Sequence, residues 1–248
     1  MAYPHRIKDA GASALQQAEH LRTEEIRRQH RRGIPLLILA TAVGYLISLP
    51  AQQADAPLAV VVVLIAAPML WVTRRAYRPG QLVRRWRQGA EGERRTAREL
   101  HPLTRRGWIV LHDRALAGTR ANLDHVVLDP AGRSALYLDT KFYRSGRHVG
   151  LRNGSLACGK FTYREAISTV RWEAQRAAVA LGVPVTPIIV IHGARVPGGK
   201  FDANGITIIN ARHLRAELRA RSGQPNSHVQ QALAQRAEAA LPRYTAVH

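Results

Sequence analysis

Two neighbouring runs decide the fold: Leu123-Asp124-His125-Val126-Val127-Leu128 and Ala135-Leu136-Tyr137-Leu138-Asp139-Thr140-Lys141-Phe142-Tyr143. Both are rich in β-branched, aromatic and long aliphatic residues, and Asp129-Pro130-Ala131-Gly132 lies between them with strong turn chemistry. They read as antiparallel strands of an α/β domain. Alternation with a period of two puts Asp139 and Lys141 on one face with Ala135 and Tyr137, and turns Leu136, Leu138, Thr140 and Phe142 to the other. Asp124 sits in the adjoining strand, within reach of Asp139. Two carboxylates meeting in an apolar sheet repel unless a cation lies between them. A divalent metal or an ammonium supplies that charge. Mg²⁺ commonly takes one or two carboxylates and keeps waters for a substrate phosphate.

Lys141 is informative because this chain builds its positive charge from arginine, with lysine only at Lys8, Lys141, Lys160 and Lys200. A compact ammonium suits a place beside a scissile phosphate, although Asp-x-Lys is also the spacing of an ion pair with no chemical role. Upstream, a helix over about 89–103 carries Glu93 on a stripe with Ala90, Ala97 and Leu100. Glu91 falls beside Arg94, Arg95 and Arg98 on the solvent side. A carboxylate on the packed face is costly unless paired or metal-linked; a first-turn acid favoured by the helix dipole is the other reading of Glu93.

Further along, a strand is expected at 108–112, and an Asn153-Gly154 hairpin should join 147–152 to 155–160. A helix with Ile167, Val170, Ala174, Ala177 and Leu181 at helical spacing follows. The unbroken apolar run 185–191 reads as a buried strand, and 206–209 as another. Asn210 is placed to cap a helix over 211–221, and a last helix covers about 227–241. Gly193 to Lys200 resembles a phosphate loop only loosely. Its glycine spacing is off by one and Phe201 stands where Ser or Thr is required, so it reads as a surface turn. His125 points to the face opposite Asp124 and reads as a hydrogen-bonded core histidine.

The first third of the chain is different. Residues 34–49 (IPLLILATAVGYLISL) and 57–72 (PLAVVVVLIAAPMLWV) contain no charge. A basic arm over 1–33, helical from about 13 to 32, precedes them, and a basic linker over 74–88 follows. The connection 50–56 has no Lys or Arg. This asymmetry predicts a two-helix transmembrane hairpin over 34–73 with both flanks cytoplasmic, in a cell inner membrane. Ala40 and Gly44 allow the helices to approach closely. Ala54-Asp55-Ala56 fits a signal-peptide cleavage site, but the arm before it is too long and a second apolar block follows at once. The α/β domain is assigned to 89–210 and the C-terminal helices to 211–248.

The net charge of +20 favours polyanionic partners: nucleic acid or acidic lipid headgroups. The single cysteine excludes an intrachain disulfide and any all-cysteine zinc site. No H-E-x-x-H metalloprotease motif is present.

Gly89-x-x-Gly92-Glu93, Leu123-Asp124-His125, Pro130-x-Gly132 and Leu138-Asp139-Thr140-Lys141 together resemble the nuclease-related domain (NERD) family. That family is similar to the restriction-endonuclease-like fold, a mixed sheet flanked by helices with a P-D…(D/E)-x-K metal site. The likeness runs from Gly89 to about Gly193, under half of the chain, and Leu123 stands where the named motif has proline. The resemblance implies that Asp124 and Asp139 bind Mg²⁺, that Lys141 helps activate water, and that Glu93 supports the site. The implied reaction is metal-assisted phosphodiester hydrolysis of DNA, with Arg114, Arg120, Arg144 and Arg147 available to backbone phosphates. The alternative is a non-catalytic module that keeps the fold and holds nucleic acid or a partner at the membrane.

Overall fold

A computed structural model describes residues 7–245. The chain divides into two compact units, residues 17–86 and the remainder, residues 1–16 with 87–248.

The smaller unit is built on two helices, α1 (Ala12–Gln53) and α2 (Leu58–Ala76). The polar helix and the first apolar block, expected as separate segments, are one helix that runs through Pro35 and Pro50. A helix can carry proline where neighbouring groups satisfy the freed carbonyl, at the cost of a bend. The two helices approach closely at Gly44, where a Cβ would meet the Ile65 backbone at 2.9 Å. Both helices are long and apolar enough to cross a membrane. Ile38, Leu39, Leu46, Leu58, Val63 and Trp71 lie on their exposed surface, and α2 has no buried residue.

The larger unit is a six-stranded mixed sheet. Its strands are β1 (Ile109–Ala115), β2 (Asn122–Leu128), β3 (Ala135–Phe142), β7 (Val185–His192), β8 (Lys200–Ala203) and β9 (Ile206–Asn210), in the order β1-β2-β3-β7-β9-β8. β1, β2 and β3 are antiparallel neighbours, β3, β7 and β9 run parallel, and β8 returns antiparallel at the edge. A separate three-stranded sheet holds β4 (Val149–Arg152), β5 (Ser155–Cys158) and β6 (Phe161–Tyr163). The β4–β5 turn has φ of 49° at Asn153 and 72° at Gly154. Those left-handed angles are what an Asn-Gly hairpin turn demands.

Helices cover both faces of the main sheet. α3 (Gln81–Thr104) and α5 (Ala211–Ala220) bring Leu100, Leu103, Leu214 and Leu218 against Leu136, Leu138, Ile188 and Val190. On the other face α4 (Ala166–Leu181) and α6 (Ser227–Ala240) set Val170, Ala174, Leu233 and Ala237 into a core with Val126, Tyr137 and Ile189. Gly182, with φ of 66°, ends α4, and the Asn210 side chain caps α5 as expected.

The departures have local causes. α3 begins at Gln81, so much of the expected 74–88 linker is helical; Leu82, Val83 and Trp86 extend its pattern upstream of two glycines that a helix tolerates. β1 reaches Ala115 because Arg114 and Ala115 pair with Leu123 and Asn122. The stretch after Gly193 is more than a surface turn: Ala194 and Val196 are buried, and Lys200 opens β8 against Ile209. The first residues of the expected N-terminal arm, up to Gln16, and the C-terminal helices belong to the larger unit.

Candidate functional site

The site lies where β2 and β3 part. Their ladder stops at His125↔Leu138, while β3 continues beside β7 as far as Phe142↔His192. One step beyond the ladder the register sets Asp124 opposite Asp139. There the Thr140 backbone N–H, which has lost its partner strand, donates to Asp124 Oδ2 at 2.8 Å. A side chain thus replaces a ladder hydrogen bond, and the opening it leaves is lined by acids. Asp124, Asp139 and Lys141 share the sheet face of Val126 and Tyr137.

Lys141 Nζ donates to Asp139 Oδ1 at 2.8 Å. Asp139 Oδ2 is buried and has no hydrogen-bond partner among the described residues; the same holds for Glu93 Oε2. A buried carboxylate oxygen left in this way costs free energy unless something else meets it. Burial pushes the Asp124 carboxyl well above the usual range, and Asp139 adds repulsion that Lys141 and the Thr140 N–H only partly offset. Glu93 is likewise raised, by burial first and then by Asp124, Asp113 and Asp139. Burial pulls the Lys141 ammonium down, but Asp139 and Asp124 outweigh it, so its affinity for the proton rises. Lys141 is therefore a fixed cation across neutral pH, and three acids compete for it.

Two acids near this site escaped the sequence reading. Glu173, on α4, is buried and accepts a hydrogen bond from Tyr137 Oη at 2.7 Å. Burial raises its carboxyl to about 7; the Tyr137 hydroxyl and Lys141 pull the other way, and Asp139 pushes with the burial. Its signal was present, since position 173 lies three residues after Val170 and four before Ala177 on the packed stripe. Asp113 is the register neighbour of Asp124 on β1, with a left-handed φ of 50°. Its carboxylate is spent on structure. Oδ2 accepts from the Ala12 and Ser13 N–H groups at the start of α1, and Oδ1 from Ser13 Oγ and Asn122 Nδ2. Negative charge at a helix N-terminus is favourable.

Other expected residues divide. His125 is buried with its Nδ1 2.7 Å from His112 Nδ1, a core histidine as expected. Glu91 bonds Arg95 and Arg98. Arg114 is a correction. It is buried and makes a bidentate pair with Glu238 at 2.6 and 2.8 Å, so its guanidinium is not available to a phosphate. Arg120 and Arg144 are exposed, and Arg147 stacks on Phe161. On the opposite sheet face, Thr96 Oγ1 contacts both Thr140 Oγ1 and His192 Nε2. A cleft of about 420 Å³ there is lined by Arg95, Arg98, His192 and Arg212 and includes none of the four predicted site residues.

No three His, Cys, Asp or Glu side chains among the described residues are gathered as a ready metal cage. A cage is not what the donor set implies. Mg²⁺ is held by one or two carboxylates and completes its shell with water, and Asp124 with the unpartnered Asp139 Oδ2 meets that need. The residues present fit a divalent cation.

No curated protein and no solved structure matches the chain. A family model described as the nuclease-related domain, NERD, matches residues 88–192. That span, under half of the chain, holds Glu93 on α3, Asp124 on β2 and Asp139 and Lys141 on β3, and over it the chain is similar to the nuclease-related domain family.

Proposed function

We propose that the protein is a membrane-anchored, Mg²⁺-dependent nuclease that hydrolyses phosphodiester bonds of DNA. The observation that carries this reading is the pairing of a buried, unpartnered Asp139 Oδ2 with a charged Lys141 on its other oxygen, opposite Asp124 one step beyond the end of the β2–β3 ladder. Asp124 and Asp139 would hold the cation, with Glu93 behind them. A divalent cation bound there would polarise a phosphoryl oxygen and acidify a nearby water.

The chain's own residues do the rest. Lys141 is held protonated, so it acts by charge: its ammonium offsets the negative charge that grows on the phosphoryl oxygens and does not take the proton from water. Glu93, raised by burial and by the neighbouring Asp124, holds its proton more tightly than a free glutamate and would supply a carboxyl group behind the cation. Thr140 N–H fixes the Asp124 carboxylate and leaves its other oxygen for the cation. The exposed Arg120 and Arg144 would meet backbone phosphates, a contact without sequence preference that weakens with salt.

The anchor is the helix pair, whose exposed apolar surface has no other solvent suited to it. Arg27, Arg28, Arg31 and Arg32 before it and Arg74, Arg75 and Arg78 after it favour a cytoplasmic placement of both flanks in an inner membrane.

The test uses full-length protein in detergent with linear and nicked DNA, comparing Mg²⁺ with chelator and wild type with Asp139→Ala and Lys141→Ala. Metal-dependent cleavage lost in both variants supports the reading. DNA binding without cleavage, equal in all three proteins, transfers it to the non-catalytic binding module.

A further inference from the structure

Within the smaller unit, a cleft of about 650 Å³ opens beside α1 and the end of α2, lined by Arg28, Arg31, Arg32, Gly33, Leu36 and Ala76 among others. We propose that this cleft binds the phosphate of an anionic phospholipid, with the guanidinium groups on the headgroup and the acyl chains running along Leu36 and Ala76. The inference rests on the membrane reading above and adds a defined lipid site to it.

Helical spacing builds the site. Arg28, Arg32 and Leu36 follow one another at i, i+4 and i+8, with Arg31 beside them, so a single stripe passes from cationic to apolar. The change takes one stride of roughly 6 Å. A lipid changes character over the same distance, from phosphate to glycerol to hydrocarbon. Arg31 and Arg32 have no carboxylate partner among the described residues, and Arg28 reaches Glu24 only at 3.5 Å. The one acid lining the cleft, Glu25, is occupied: its Oε2 accepts from Arg22 Nη1 at 3.2 Å and from the Gly80 N–H at 3.1 Å. The charges of Arg31 and Arg32 are therefore unanswered by any carboxylate among the described residues. Gly33 is buried beneath the Tyr77 ring, where a Cβ would come within 3.0 Å of the hydroxyl, so the floor is closed by close packing. Arginine suits the task because its fork grips two phosphate oxygens at once.

The experiment is native mass spectrometry of the full chain in a neutral detergent, titrated with phosphatidylglycerol and phosphatidylcholine. Arg28→Ala/Arg31→Ala/Arg32→Ala is compared with a control of equal charge change, Arg84→Ala/Arg85→Ala/Arg87→Ala. The expected result is a phosphatidylglycerol preference that falls at least about tenfold in the cleft variant and stays within about twofold in the control. Arg28→Lys/Arg31→Lys/Arg32→Lys should keep part of the preference, which separates lost charge from misfolding. Equal losses in both alanine triples would overturn the cleft while leaving the anchor intact. Displacement of the lipid by millimolar inorganic phosphate alone would overturn the lipid assignment. A chain that stays soluble and monomeric without detergent would overturn the anchor, and this inference with it.

Discussion

Replacing Glu173 with glutamine removes one buried charge beside the site and keeps an acceptor for Tyr137 Oη. In the folded chain the Glu173 carboxyl titrates at about 7, against 4.5 for the free group. Below about pH 4.5 the folded and unfolded chains both hold the proton, and the residue costs nothing. As pH rises from 4.5 to 7 the unfolded chain releases it while the folded chain keeps it, so stability falls with pH. Each unit of that window is worth about 1.36 kcal/mol. The loss is complete above pH 7 and amounts to about 3 kcal/mol. Wild type and Glu173→Gln should therefore diverge with pH, and the variant should gain about 3 kcal/mol relative to wild type between pH 4.5 and pH 8. For a domain of this size that is a melting-temperature difference of roughly 6–12 °C. Tryptophan emission of the full chain in detergent reads it, because Trp108 is buried and Trp172 adjoins the substituted position. A difference between the two proteins that stays constant from pH 4.5 to 8 would refute the burial argument for this acid.

Arg114→Ala should cost about 2–3 kcal/mol of stability with little change in DNA affinity at fixed salt. Glu238→Ala should cost about 1–3 kcal/mol, because it leaves the buried guanidinium with the Leu241 carbonyl but without its carboxylate; denaturant midpoints and a DNA titration check both. Gly132 has φ of +70°, and a Cβ there would run into the backbone of Val229 and Gln230. Gly132→Ala should therefore destabilise by about 2–4 kcal/mol in chemical denaturation, combining left-handed strain with overpacking against α6.

The β2–β3 hairpin was legible because alternation, turn chemistry and apolar content all favoured the same pairing, and one register then brings Asp124 opposite Asp139. The buried β7 and the stripe of α4 were legible for the same reason: each burial pattern has only one periodic explanation. Glu93 was legible as an acid on a packed stripe, and its burial follows. Glu173 carries the same signal but stands one turn along from alanines that already accounted for the helix.

What was hidden depends on contacts distant in sequence. Asp113 and Arg114 look like the polar end of a strand, and only the start of α1 and Glu238, at opposite ends of the chain, explain why both are buried. The short strands β6 and β8 contain three and four residues, too few for alternation to stand out from a loop. The length of α1 was hidden by Pro35 and Pro50, which end most helices but only bend one whose neighbours hold it.

Manganese binding followed by electron paramagnetic resonance tests the central claim most directly, because it reports on the shared cation without requiring turnover. The full chain should take up one Mn²⁺ that Mg²⁺ displaces, and Asp124→Asn or Asp139→Asn should each abolish it while Glu91→Gln leaves it unchanged. Uptake that survives both asparagine substitutions, or no uptake by the wild-type chain, would contradict the account.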